Sequence, residues 1–104
     1  MKAFISQPMK GLSDDEIVIV RDSVWRIIKE KHGEECEIIE SYSPNDELYN
    51  SMLSPIESLA RSITFMSDAD VAYFAPGWDE ARGCIIEHAI CEFYGIPHTE
   101  LEDL

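Results

Sequence analysis

The sequence is poor in positive charge. Eight Lys and Arg residues stand against 21 Asp and Glu, for a formal net charge of −13. That balance excludes holding a polyanion on a basic face, so no nucleic-acid polymer is expected as a partner. It leaves room for a small anion, because backbone N–H groups of a loop or helix N-terminus bind phosphate without net positive charge. Long apolar runs are also missing. Nothing approaches the ~20 residues that span a bilayer, and the first residues carry no signal-peptide pattern. The expectation is a cytoplasmic protein with no membrane partner. Cysteine is scarce, and Cys36, Cys84 and Cys91 are an odd number without a CxxC pair, which fits reduced thiols. Cys84 and Cys91 stand two helical turns apart, too far for a disulfide within one helix. No His/Cys cluster has zinc-site spacing, so no metal is expected. Nor is a cofactor: GxGxxG is absent, and the first loop, FISQPMKG, lacks a run of Ser/Thr donors for a flavin phosphate.

What is present is one domain, 1–104, with an apolar fraction of 45% that suits a single core. Lys2 to Ser6 reads as a central parallel strand that breaks at Gln7-Pro8. Ser13 and Glu16 form a capping box, followed by a helix with Ile17, Val20, Val24, Ile27 and Ile28 on one stripe and Gly33 at its end. Cys36 to Glu40 is a second strand, nearer an edge because acids flank it. Ser41 to Met52 is the longest irregular stretch and is expected to line a site. Ser54, Pro55 and Glu57 start a further helix, whose expected buried stripe is Ile56, Leu59, Ala60, Ile63 and Met66. Asp70 to Ala75 is the third strand and Ile96 to Glu100 the fourth. The order βαβαβαβ with short connections predicts a three-layer α/β sandwich around a parallel sheet of four to five strands.

The organising stretch is Phe74 to Gly95, FAPGWDEARGCIIEHAICEFYG. An apolar strand meets Pro76-Gly77, and helical spacing begins at about Glu80, with Ile86, Ala89, Ile90 and Phe93 on one face. Gly95 closes the helix. Strand, loop and helix in this order form the usual setting of ligand sites in open α/β sheets. Glu87 projects beside the apolar face and shares a strip with Gly83, Tyr94 and, less closely, Cys91. Helical side chains lean toward the N-terminus, so position 87 covers the gap that Gly83 leaves. Glu87 is thus a candidate nucleophile or base, against the alternative of a solvated helix glutamate. Trp78 and Tyr94 offer flat faces for a base or sugar, or pack. Arg82 pairs with a phosphate, or with Asp79 or Glu80 on the surface.

FISQPMKG, SDADVAYFAPGW and ARGCIIEHAICEFYG together resemble the nucleoside 2-deoxyribosyltransferase superfamily, above all its short members and the related deoxynucleotide N-hydrolases. The resemblance implies a Rossmann- or flavodoxin-like sandwich. It also implies cleavage of the N-glycosidic bond of a small nucleoside or nucleotide. By that likeness Glu87, four residues after Gly83, attacks C1′ of the sugar. Ser6, Gln7, Pro8, Met9 and Gly11 match the loop that contacts the nucleoside or its 5′-phosphate, Gly83 keeps the family's spacing to Glu87, and Asp79 and Arg82 are near enough in sequence to substitute for an aspartate that the pattern has at Ala81. A homo-oligomer, dimer or larger, is implied too. The chain departs from the pattern where Ser62 stands in place of an aspartate eight residues before Asp70, and Ala81 in place of one six residues before Glu87. Those departures favour the second reading, a nucleotide-binding module without turnover. For the proton that a leaving base needs, Asp79 and His88 are candidates, although His88 points about 100° from Glu87 and is expected at the surface.

Overall fold

A computed structural model describes residues 1–42 and 54–104. Most of the irregular stretch Ser41 to Met52 lies outside these residues. The elements are β1 (Lys2–Ser6), α1 (Asp14–His32), β2 (Glu37–Ile38), α2 (Pro55–Met66), β3 (Val71–Phe74), a single 3₁₀ turn (Trp78–Glu80), α3 (Arg82–Tyr94) and β4 (His98–Glu100). The four strands are all parallel in the order β2-β1-β3-β4. This is the flavodoxin-like order, in which the connections diverge at β1 and β3 and leave a crevice at their carboxyl ends.

Strand alternation sorts the core into two layers. Ala3, Ile5, Val71, Tyr73 and Ala75 face α1, where Val24 and Ile28 meet them. Phe4, Ala72 and Phe74 face the other way, onto Met66 of α2 and Cys91 of α3. Both faces of the sheet are therefore covered, as the uninterrupted apolar strands β1 and β3 require.

α1 forms where its local signals put it. The Ser13 hydroxyl and the Glu16 carboxylate satisfy each other's backbone N–H groups, and Lys29, Lys31 and His32 stand at the negative end of the dipole. Its buried stripe includes one residue outside the expected apolar set, Arg21. The guanidinium reaches Gln7 Oε1 at 3.4 Å, the Ile39 carbonyl at 2.9 Å and Ser41 Oγ at 3.3 Å. It thereby ties the loop after β1 to the segment after β2.

The other two helices depart from expectation. α2 keeps its capping box and N-terminal proline. Of its expected stripe only Met66 is buried, Leu59 and Ile63 are half-covered, and Ile56 is 79% exposed. α3 begins at Arg82, not Glu80, because Gly77 at φ 86° turns the chain into the 3₁₀ turn and Ala81 is extended. Its buried face is Cys84, Glu87 and Cys91. The expected face fails at Phe93, which is 86% exposed, and Ile86 is also exposed. The apolar side of α3 thus points away from the sheet, and its most polar inward residue is the glutamate.

Candidate active site at the carboxyl ends of β1 and β3

Ser6 is the last residue of β1 and lies in register with Phe74, the last of β3. Two positions after Phe4 it projects to the same face of the sheet, toward α3. There its hydroxyl donates to Glu87 Oε1 at 2.6 Å. Glu87 is 6% exposed. Burial pushes its carboxyl above the ordinary carboxylate range, against hydrogen bonds from the Ser6 and Ser62 hydroxyls that pull it down. Ser62, the position at which the resembled pattern has an aspartate, therefore comes from α2 to the same carboxylate. Among the described residues no cation forms an ion pair with Glu87.

A cavity of about 380 Å³ opens over this pair. It collects most of the residues expected at a site: Ser6, Gln7, Pro8, Met9, Arg82, Gly83 and Glu87 all line it. Gly83 behaves as its position suggested. A Cβ built there meets only Leu59 Cδ1, at 3.9 Å, so the missing side chain leaves open space beside the carboxylate. Gln7 contributes less than expected. Its side-chain amide donates to the Ile17 carbonyl at 3.0 Å and accepts from Arg21, so its polar atoms serve the scaffold. Arg82 is exposed at the rim and forms no ion pair with Asp79 or Glu80. Lys10 and Glu80 add one charge of each sign to the lining.

Gly11 and Asp79 are not brought into the lining. Gly11, at φ 81°, shapes the turn into α1 instead. The two helix termini near this loop differ. At α1 the Ser13–Glu16 box occupies the end of the helix with a carboxylate, whereas α3 has no side-chain cap at Ala81. The first N–H groups of α3, at Arg82 and Gly83, are thus the ones left for an anion beside the cavity.

His88 is not a surface residue. Its side chain is 12% exposed, stacks on Trp78 with ring centroids 4.1 Å apart, and meets Glu92 and Glu100. Trp78 is consumed by that stack, and Tyr94 is exposed away from the cavity. Cys84 lines the cavity, but burial pushes its thiol up to about 11, so it is neutral beside Glu87 at ordinary pH.

Lys10, Ser58, Leu59 and Cys84 line the cavity without a signal for it in the sequence, and Ser62 stands out there only as a departure from the resembled pattern. Arg21, which holds Gln7 from outside the lining, is not among the expected residues at all. The spacing 17, 21, 24, 28 on α1 puts that arginine on the buried strip, and an arginine there was the available signal. Comparison of the chain with protein-family models, with curated proteins and with solved structures found no match in any of the three.

Proposed function

We propose that the protein cleaves the N-glycosidic bond of a small nucleoside or nucleotide, with Glu87 as nucleophile. The observation that carries this reading is a buried carboxylate with no cationic partner among the described residues, held by Ser6 against an open cavity at the switch point of a parallel sheet. Buried ionisable groups of this kind concentrate at functional sites, since leaving them uncompensated costs stability. Cleaving the bond builds positive charge at C1′. A Glu87 oxygen forms a bond to that carbon while the electron pair of the C1′–N bond passes to the base. Water then displaces the carboxylate in a hydrolase, and a second base does so in a transferase.

Two features suit a polar or anionic end of the substrate. The uncapped start of α3 presents backbone donors, and Arg82 and Lys10 are the cations at the rim. The likeness to the nucleoside 2-deoxyribosyltransferase superfamily supports the same assignment of roles. It also supports a homo-oligomer, for which the exposed Ile85, Ile86 and Phe93 of α3 supply an apolar face.

A second reading, a nucleotide-binding module without turnover, is favoured by one observation. Neither candidate acid for the leaving base reaches the cavity, since Asp79 lies outside its lining and His88 is engaged with Glu92 and Glu100. The test is a panel of ribo- and deoxyribonucleosides and their 5′-monophosphates, followed by thermal shift and by chromatography of the released base. Base release that Glu87→Gln abolishes supports the glycosidase. Binding without release by the wild-type protein assigns the chain to the module, and no binding of any member removes both readings.

A further inference from the structure

Between α3 and β4, His88, His98 and Glu100 bring one ligand atom each within 4.8 Å of one another. None of the three lines the cavity around Glu87. We propose that they form a binding site for a borderline divalent transition metal, with zinc as the type ion, separate from the candidate active site.

Both rings are held from one side. His98 Nδ1 lies 2.9 Å from the Ile96 carbonyl, which can only accept. The proton of a neutral ring is therefore on Nδ1, and Nε2 carries the free lone pair. His88 Nδ1 lies 3.0 Å from Glu92 Oε1, one turn further along α3, while its Nε2 lies 2.7 Å from Glu100 Oε1. One nitrogen of each imidazole is thus held by a carboxylate or a backbone carbonyl, and in His88 the other faces Glu100. This is the outer-shell arrangement that orients metal-bound histidines. A metal ion entering between His88 Nε2 and Glu100 takes the place of the direct contact between them.

Sequence and packing make the site from two elements. His98 and Glu100 are alternate residues of β4 and project to one face of the strand. His88 reaches them from α3, and Trp78 and Phe74 wall its ring, with centroids at 4.1 and 5.0 Å. Two nitrogens and one carboxylate suit zinc with water completing a tetrahedron, or another late first-row ion. For two ligands at about 2.1 Å from zinc the tetrahedral separation is about 3.4 Å. The 2.7 Å contact between His88 and Glu100 therefore has to open and the 4.8 Å spread of the whole set to close, and Glu100, with its side chain 46% exposed, is free to shift between the two rings. Ten positions separate His88 from His98 across a helix end, which is why no metal-like spacing is visible in the sequence.

The test uses the full chain without a histidine tag, stripped with a chelator and titrated with zinc chloride. The wild-type protein is expected to bind one equivalent by calorimetry and to melt at a higher temperature once loaded. His98→Gln and Glu100→Gln should each bind at least about tenfold more weakly, with metal-free melting close to wild type. Cobalt in place of zinc should show visible bands of nitrogen and oxygen ligation without an intense near-ultraviolet thiolate band. No binding by the wild type, or affinity retained within tenfold by either folded variant, overturns the site. So does a thiolate band, which would move the metal to the cysteines. If His98→Gln fails to fold, Glu100→Gln decides alone, because it changes an exposed side chain.

Discussion

Replacing Glu87 with glutamine exchanges one carboxylate oxygen for an amide NH₂ and leaves the side-chain shape almost unchanged. The Ser6 hydroxyl can still donate, now to the amide oxygen, so the contact at 2.6 Å is weakened but not lost. Two opposing effects decide the stability. The hydrogen bonds from Ser6 and Ser62 each weaken by about 1 kcal/mol when their acceptor is no longer charged. Against that, the cost of holding a buried carboxylate ionised disappears, and that cost is several kcal/mol per ion even after relaxation. Burial is the dominant influence on this group and raises its pKa in spite of the two serines. The net expectation is that Glu87→Gln stabilises the protein at neutral pH by on the order of 1 kcal/mol, which for a domain of this size is a rise in Tm of about 4–8 °C.

The pH dependence has a definite sign. A carboxyl whose folded-state pKa lies above its unfolded value destabilises the native state fully only above the folded pKa, where both states are ionised. The penalty fades as pH falls through the folded pKa and is gone below the unfolded one. The advantage of Glu87→Gln should therefore be largest at neutral pH and vanish in acid. Urea midpoints at both pH values measure it, in salt to screen the general repulsion of a chain at −13. Glu80→Gln removes the same unit of charge from an exposed position and should stay within about 0.5 kcal/mol of wild type. Glu87→Gln should also lower base release at least about 10³-fold, since the amide cannot attack C1′. A Glu87→Gln protein that is less stable at neutral pH, or equally changed at both pH values, refutes the electrostatic argument. Turnover at the wild-type rate refutes the nucleophile.

Four further outcomes follow from the same geometry. Base release by the wild-type protein should lose its rate in acid at a higher pH than an ordinary glutamate dictates, and Ser6→Ala should move that limb higher still, as a pH–rate profile will show. Gly83→Ala should gain up to about 1 kcal/mol in helix propensity, because its Cβ fits at 3.9 Å from Leu59, while binding ligand more weakly in a titration. Arg21→Met should cost about 1–3 kcal/mol in denaturant unfolding, since it leaves the Gln7 amide oxygen without its buried donor, while the Ile39 carbonyl keeps the Ser41 N–H. Light scattering should find a dimer or larger at concentrations on the order of tens of micromolar, and Phe93→Glu should shift it toward monomer.

How far the sequence could be read depended on the range of the interaction involved. The capping boxes at Ser13 and Ser54 and the stripe Ile17, Val24, Ile28 are set within one or two helical turns, and each stands where its spacing put it. The parallel sheet was legible because β1 and β3 are apolar on both faces, which only two covering layers can satisfy. Periodicity failed on α2 and α3 for a definite reason: it marks which side of a helix is apolar but not what covers that side. Phe93 and Ile56 obey the pattern and still face outward. The inward face of α3 was instead marked by what broke the pattern, a glutamate between two cysteines at the spacing 84, 87, 91. Contacts across long stretches of chain left no spacing to find. Ser6 and Glu87 are 81 positions apart, and His88 meets Glu100 only after α3 has ended and β4 has joined the sheet. A carboxylate was therefore predictable as an oddity of one helix, while the serines that hold it became visible only when β1 and α2 were folded against it.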